Sequence, residues 1–96
     1  MKILAIDRLN PGVTFEKIAP LLKDEAVHAW QLYSKGVFRE LYMRGDRPGA
    51  VIIAECASLD EVRAIFAELP LVRAKLIEFE FIPLGPFSPF EQLMKK

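Results

Sequence analysis

The stretch "VFRELYMRGDRPGAVIIAECA", residues 37–57, restricts the fold most. Two runs rich in β-branched and aromatic residues flank a five-residue Gly/Pro loop, the signature of an antiparallel hairpin. If the hairpin is symmetric about "GDRPG", Met43 pairs with Val51, Leu41 with Ile53 and Arg39 with Glu55 on one face. Arg44 then pairs with Ala50, Tyr42 with Ile52, Glu40 with Ala54 and Phe38 with Cys56 on the other.

The remaining elements fall on either side of this hairpin. Lys2 to Leu9 reads as an aliphatic strand closed by "NPG". From Phe15 to Lys35 the spacing is helical, with Ile18, Leu22, Ala26, Ala29 (or Trp30) and Tyr33 in one stripe. Pro20 either kinks this helix or marks a short turn before the main helix. Gly36 ends it. Ser58 caps a second helix, with Glu61 three residues on to complete a capping box, and Leu59, Val62, Phe66 and Leu69 form its inner stripe. Pro70 stops that helix. "LIEFEF" then alternates apolar and acidic residues as a half-buried strand does, with Ile77, Phe79 and Phe81 on one side and Glu78 and Glu80 on the other.

The order strand, helix, strand, strand, helix, strand predicts an α+β fold, the ferredoxin-like βαββαβ sandwich. Its sheet has four antiparallel strands in the order 4-1-3-2, with two helices on one face. The 96 residues make one domain, 1–96, with 84–96 as a C-terminal tail rich in proline and phenylalanine. A monomer has little left to bury that tail against, so it either crosses to a partner subunit or folds back on its own helices.

The symmetric register puts Leu4, Ile6, Leu41, Met43, Val51 and Ile53 beneath the helices. The open face then carries Ile3, Ala5, Asp7, Glu40, Tyr42, Arg44, Ala50, Ile52, Ala54, Cys56, Glu78 and Glu80. Apolar residues on that face are expected to pack on a second copy, and the small ones to leave a hollow. The 52% apolar content points the same way.

Composition also excludes several classes of function. Thirteen basic and thirteen acidic side chains cancel, so no basic stripe for nucleic acid or polybasic patch for lipid exists. The lone Cys56 has no partner for an internal disulfide, and no His/Cys spacing supports a metal site. The N-terminal apolar run is too short for a signal peptide or a membrane span, and a cytoplasmic location is expected.

The blocks "GVFRELYMR" and "ECASLDEVRAIFAELPL" resemble muconolactone isomerase. Gly36, Phe38, Arg39, Leu41, Tyr42, Ser58, Leu69, Pro70 and Leu71 are the matching positions. The resemblance implies the dimeric α/β-barrel superfamily, in which two ferredoxin-like chains place their open sheets together around a cavity. It implies proton transfer between carbons of an unsaturated lactone in aromatic catabolism, with neither metal nor organic cofactor. Where that family has a histidine, this chain has Glu40. Where it has His-Pro in the tail, this chain reads Gly85, Pro86, Phe87.

The candidate catalytic residues are Glu40, as proton shuttle, and Arg44, as a fork of donors for a carboxylate or carbonyl. The candidate ligand-binding residues are Tyr42, Phe38, Arg39, Asp7, Glu78 and Glu80. For Arg39 a structural salt bridge with Glu55 is the stronger expectation, and for Asp7 a role in capping its loop. His28 falls off the inner helical stripe and reads as a surface residue. The expected partners are a small-molecule ligand and a second copy of the chain. A non-catalytic barrel that binds a small metabolite and a cofactor-independent monooxygenase fit the same pattern.

Overall fold

A computed structural model describes residues 1–95. The element order is β1 (Lys2–Leu9), α1 (Phe15–Ile18), α2 (Leu22–Ser34), β2 (Phe38–Met43), β3 (Ala50–Glu55), α3 (Leu59–Ala67), α4 (Pro70–Arg73) and β4 (Ile77–Leu84). The strands form one antiparallel sheet in the order β2-β3-β1-β4, the expected 4-1-3-2. Helices α2 and α3 pack on one face through Ala29, Leu32, Val62 and Phe66.

Four rings organise the core. Phe66 lies 5.0 Å from Phe38, 4.7 Å from Phe79 and 5.0 Å from Phe81, centroid to centroid, and the last two contacts are edge to face. Such pairs gain about 0.5–1.5 kcal/mol each beyond the area they bury. Ile18, Leu71 and Ile77 make a smaller cluster where α1 and α4 meet the end of β4.

Pro20 resolves as a 3-10 turn, Ala19–Leu21, ahead of α2. The turn shifts the helical phase. The half-buried side of α2 is Leu21, Glu25, His28, Ala29 and Leu32, while Leu22, Trp30 and Tyr33 of the expected stripe are exposed. Gly36, at φ 80°, then ends α2 in a Schellman turn: Val37 N–H donates to the Leu32 carbonyl and Gly36 N–H to the Tyr33 carbonyl, both at 3.0 Å. Ser58 Oγ accepts from Glu61 N–H at 3.1 Å, as the expected cap requires, and Glu61 Oε2 reaches back to Ala57 N–H at 3.0 Å.

The hairpin register differs from the symmetric expectation by one residue. Met43 pairs with Ala50, Tyr42 with Val51, Leu41 with Ile52 and Glu40 with Ile53. A bulge then intervenes, and Phe38 pairs with Ala54. The side-chain period of a strand is two, so this slip exchanges the faces of β3, and β1 follows it. Ile3, Ala5, Ile52, Ala54 and Cys56 are core residues under the helices, not open-face residues. Leu4, Ile6, Val51, Ile53 and Ile82 occupy the open face and remain partly exposed. Its centre is therefore filled by large aliphatic side chains, and the hollow expected above Ala5 and Ala54 does not exist. In β4, Phe79 and Phe81 face the helices and Glu78 and Glu80 the open side, as the alternation predicted.

Candidate functional site

A concavity lies along the free edge of β2, between that edge and α2. It is an open groove of about 610 Å³, lined by Ala26, Ala29, Trp30 and Tyr33 of the helix and by Arg39, Glu40, Leu41 and Tyr42 of the strand. The helical residues recur at i, i+3, i+4 and i+7, so they share one side of α2. Two alanines form the floor, and Trp30 and Tyr33, 5.6 Å apart, form an aromatic wall.

Two local features set how the strand residues border this groove. The Schellman turn at Gly36 fixes where β2 begins. The bulge makes Arg39 the extra residue, so Leu41, opposite Ile52, faces the helix side, while Glu40 and Tyr42, opposite Ile53 and Val51, stand on the open side and border the groove across the free edge of the strand. Tyr42 Oη donates to Glu40 Oε1 at 2.7 Å. That hydrogen bond, with the neighbouring negative charge, pushes the Tyr42 hydroxyl above its ordinary pKa and keeps it a donor. One carboxylate oxygen is thus oriented by a phenol while the other is left for a ligand. Arg39 Nε donates to the Gly36 carbonyl at 2.5 Å, which anchors the base of its guanidinium fork beside them.

The expected Arg39–Glu55 ion pair does not form. The bulge takes Arg39 out of register, and Glu55 Oε2 instead meets the N-terminal amine at 2.8 Å. That amine holds the Glu55 carboxyl below its usual range.

The other sequence candidates lie elsewhere. Phe38 is 1% exposed inside the aromatic core, because it precedes the bulge and faces the helices, so it is no wall for a ligand. Arg44 closes the hairpin mouth. Its Nε and Nη2 fork onto Asp46 at 2.9 and 2.8 Å, which depresses the Asp46 carboxyl to about 2. Asp7 points to the helix side of the sheet, and its Oδ1 accepts Ala50 N–H at 2.9 Å. A Cβ on Gly49 would come within 2.7 Å of that oxygen, so a glycine is required where the carboxylate enters the hairpin. Burial raises the Asp7 pKa, against the pull of the Ala50 hydrogen bond and the Arg44 charge. Glu78 pairs with Arg8 at 2.9 Å on the open face, where Glu80 is exposed. Of the eight candidates, the groove gathers Arg39, Glu40 and Tyr42.

Trp30, Tyr33 and Glu25 escaped the sequence reading. Trp30 and Tyr33 looked like core residues because the phase shift at Pro20 was invisible in the periodicity. Glu25 Oε1 accepts Leu71 N–H at 2.9 Å and so caps α4 from a different helix. The available signal was Leu69 ahead of Pro70, since a leucine has no side chain to cap with. Desolvation raises the Glu25 pKa, more than the Leu71 hydrogen bond and the nearby His28 lower it. Among the described residues no group of three His, Cys, Asp or Glu side chains is arranged to hold a metal ion, and no helix is long and apolar enough to cross a membrane.

No family model matches the chain, and no curated protein matches it either. Solved structures do. Muconolactone isomerase matches with a TM-score of 0.73 at 19% identity over 90% of each chain. The 5-chloro-2-hydroxyhydroquinone dehydrochlorinase of Burkholderia phenoliruptrix AC1100, solved with 2,5-dihydroxybenzoquinone, matches with a TM-score of 0.67 at 19% identity. That match covers 93% of this chain and 98% of the dehydrochlorinase. The resemblance carried by residues 36–71 of the sequence therefore extends to the whole architecture: this chain has the muconolactone isomerase-like fold.

Proposed function

We propose that this chain is an enzyme that moves a proton on a small, oxygenated, unsaturated ring such as a lactone or a hydroxyquinone, without a cofactor, and works as a homodimer. The Tyr42–Glu40 hydrogen bond at the mouth of an aromatic groove is the observation that carries this reading. It supplies an oriented base and a phenolic donor side by side. The two structural neighbours, named for a lactone isomerisation and a hydroquinone dehydrochlorination, support the substrate class.

In this reading the ring stacks against Trp30 and Tyr33. The free oxygen of Glu40 takes a proton from a ring carbon next to a carbonyl. The C–H electron pair moves into the ring, and the carbonyl oxygen becomes an enolate held by Arg39. The same carboxyl, now protonated, returns the proton to the far carbon of the conjugated system as the enolate collapses. The aliphatic centre of the open face, with Lys2, Arg8, Glu78 and Glu80 around it, supports pairing of two sheets.

The test is proton exchange on muconolactone in deuterated buffer, followed by NMR. Wild type should incorporate deuterium into the lactone, and Glu40→Gln should slow this by roughly a hundredfold or more. Exchange unaltered in Glu40→Gln would remove Glu40 as the base. A wild-type protein that exchanges neither muconolactone nor 2,5-dihydroxybenzoquinone would end the enzymatic reading.

A further inference from the structure

The groove beside β2 carries its chemistry at one end only. Helix α2 turns at Gly36 into β2, so the two elements run in opposite directions. At the Gly36 end stand Tyr33 and Arg39, whose Nε is tied to the Gly36 carbonyl. At the far end stand Ala26, Trp30, Leu41 and Tyr42, none of them charged. Glu40 borders the groove between the two ends, across the strand edge. From Ala26 to Tyr33 the helix makes two turns, so the groove is about 10 Å long.

A single oxygenated ring engaged by Arg39 and Glu40 fills the charged end and leaves the apolar end to water. Water gains little there, because Trp30, 66% exposed, and Leu41, 38% exposed, offer it mostly carbon. The aromatic wall is divided in the same way. The Trp30 and Tyr33 rings are 5.6 Å apart and inclined by 39°, so no one flat ring lies against both. Two rings joined by a single bond can each turn to match one of them. Ala26 leaves the room for the second ring, since a longer side chain at that exposed position would project into the apolar end.

We propose that the substrate carries a second, apolar ring, joined by a single bond to the oxygenated one, and that Ala26 is the residue that admits it. The oxygenated ring lies toward Tyr33, between Arg39 and Glu40. The second ring lies on Trp30, over Ala26. This inference rests on the reading of the groove as the site, and it adds the class of molecule the site selects.

The probes are 2,5-dihydroxybenzoquinone and its 3-phenyl derivative, each titrated into the full chain by calorimetry. The phenyl compound should bind roughly tenfold or more tightly than its parent, because its added ring leaves water for the apolar end. Ala26→Leu should lower that ratio to about threefold or less, since the leucine occupies the second ring's place. Leucine is a good helix former, and circular dichroism should show the variant folded. Trp30→Ala removes the surface on which the second ring lies and should lower the ratio likewise. Equal affinities in wild type would overturn the proposal. So would a ratio that survives both substitutions, because the second ring would then lie elsewhere. The readout needs no turnover. Tighter binding of the phenyl compound without deuterium exchange defeats the enzymatic reading alone. Exchange with equal affinities defeats only the second ring, and a wild type that binds neither compound defeats both the groove and this inference.

Discussion

Asp7 holds a carboxylate half out of water for a single backbone hydrogen bond, and its pKa is raised because desolvation outweighs that bond and the Arg44 charge. A carboxyl whose folded pKa exceeds its unfolded value binds its proton more tightly in the folded state. Its contribution to stability is full below the ordinary value of 3.8 and is lost as pH rises through the folded pKa. Asp7→Asn keeps an oxygen for Ala50 N–H and removes the titration. The variant should gain stability relative to wild type between pH 3.5 and pH 7, read as a difference in melting temperature that grows with pH. A difference independent of pH would mean that packing, not charge, decides this position. Glu25 is raised for the same first reason, so Glu25→Gln should behave alike. The grouping of Glu40 with Tyr42 was legible in the sequence, because residues two apart on a strand share a side whatever the register. Phe38 could not be placed, since the bulge at Arg39 breaks that same rule.

Two Schellman turns end two helices, and only one was readable. Gly36 announces the end of α2. The end of α4 has the same pattern, with Leu76 N–H donating to the Leu71 carbonyl at 3.0 Å and Lys75 N–H to the Val72 carbonyl at 2.9 Å. There the left-handed position, φ 61°, is occupied by Lys75. A residue with a Cβ is disfavoured in that region by roughly 1–2 kcal/mol. Glycine recovers this less its greater freedom when unfolded, so Lys75→Gly should stabilise the protein by roughly 0.5–1 kcal/mol in urea unfolding. A destabilised variant would show that the lysine stem makes contacts worth more than the backbone strain. The helix α4 itself was missed because its capping acceptor, Glu25, lies 46 residues away. Elements closed by their own neighbours, such as β1 and the Ser58 cap, were legible. Elements closed by distant groups were not.

The whole architecture was the most readable level, because the order of four strands and two main helices leaves few ways to cover one face of a sheet. The occupants of the two faces were not readable, since one residue of hairpin slip exchanges them. The open face that resulted is aliphatic at its centre. If two sheets pair there as proposed, a charge such as Ile53→Lys should leave monomers in sedimentation while circular dichroism keeps its shape. A dimer that survives this change would place the contact elsewhere.

The same row of Leu4, Ile6, Val51, Ile53 and Ile82 bears on the meaning of stability for this protein. In the proposed dimer its burial is completed only when two chains meet, which would couple folding to association. For such a dimer the melting temperature should climb with each tenfold increase in protein concentration, and dilution alone would act as a denaturant.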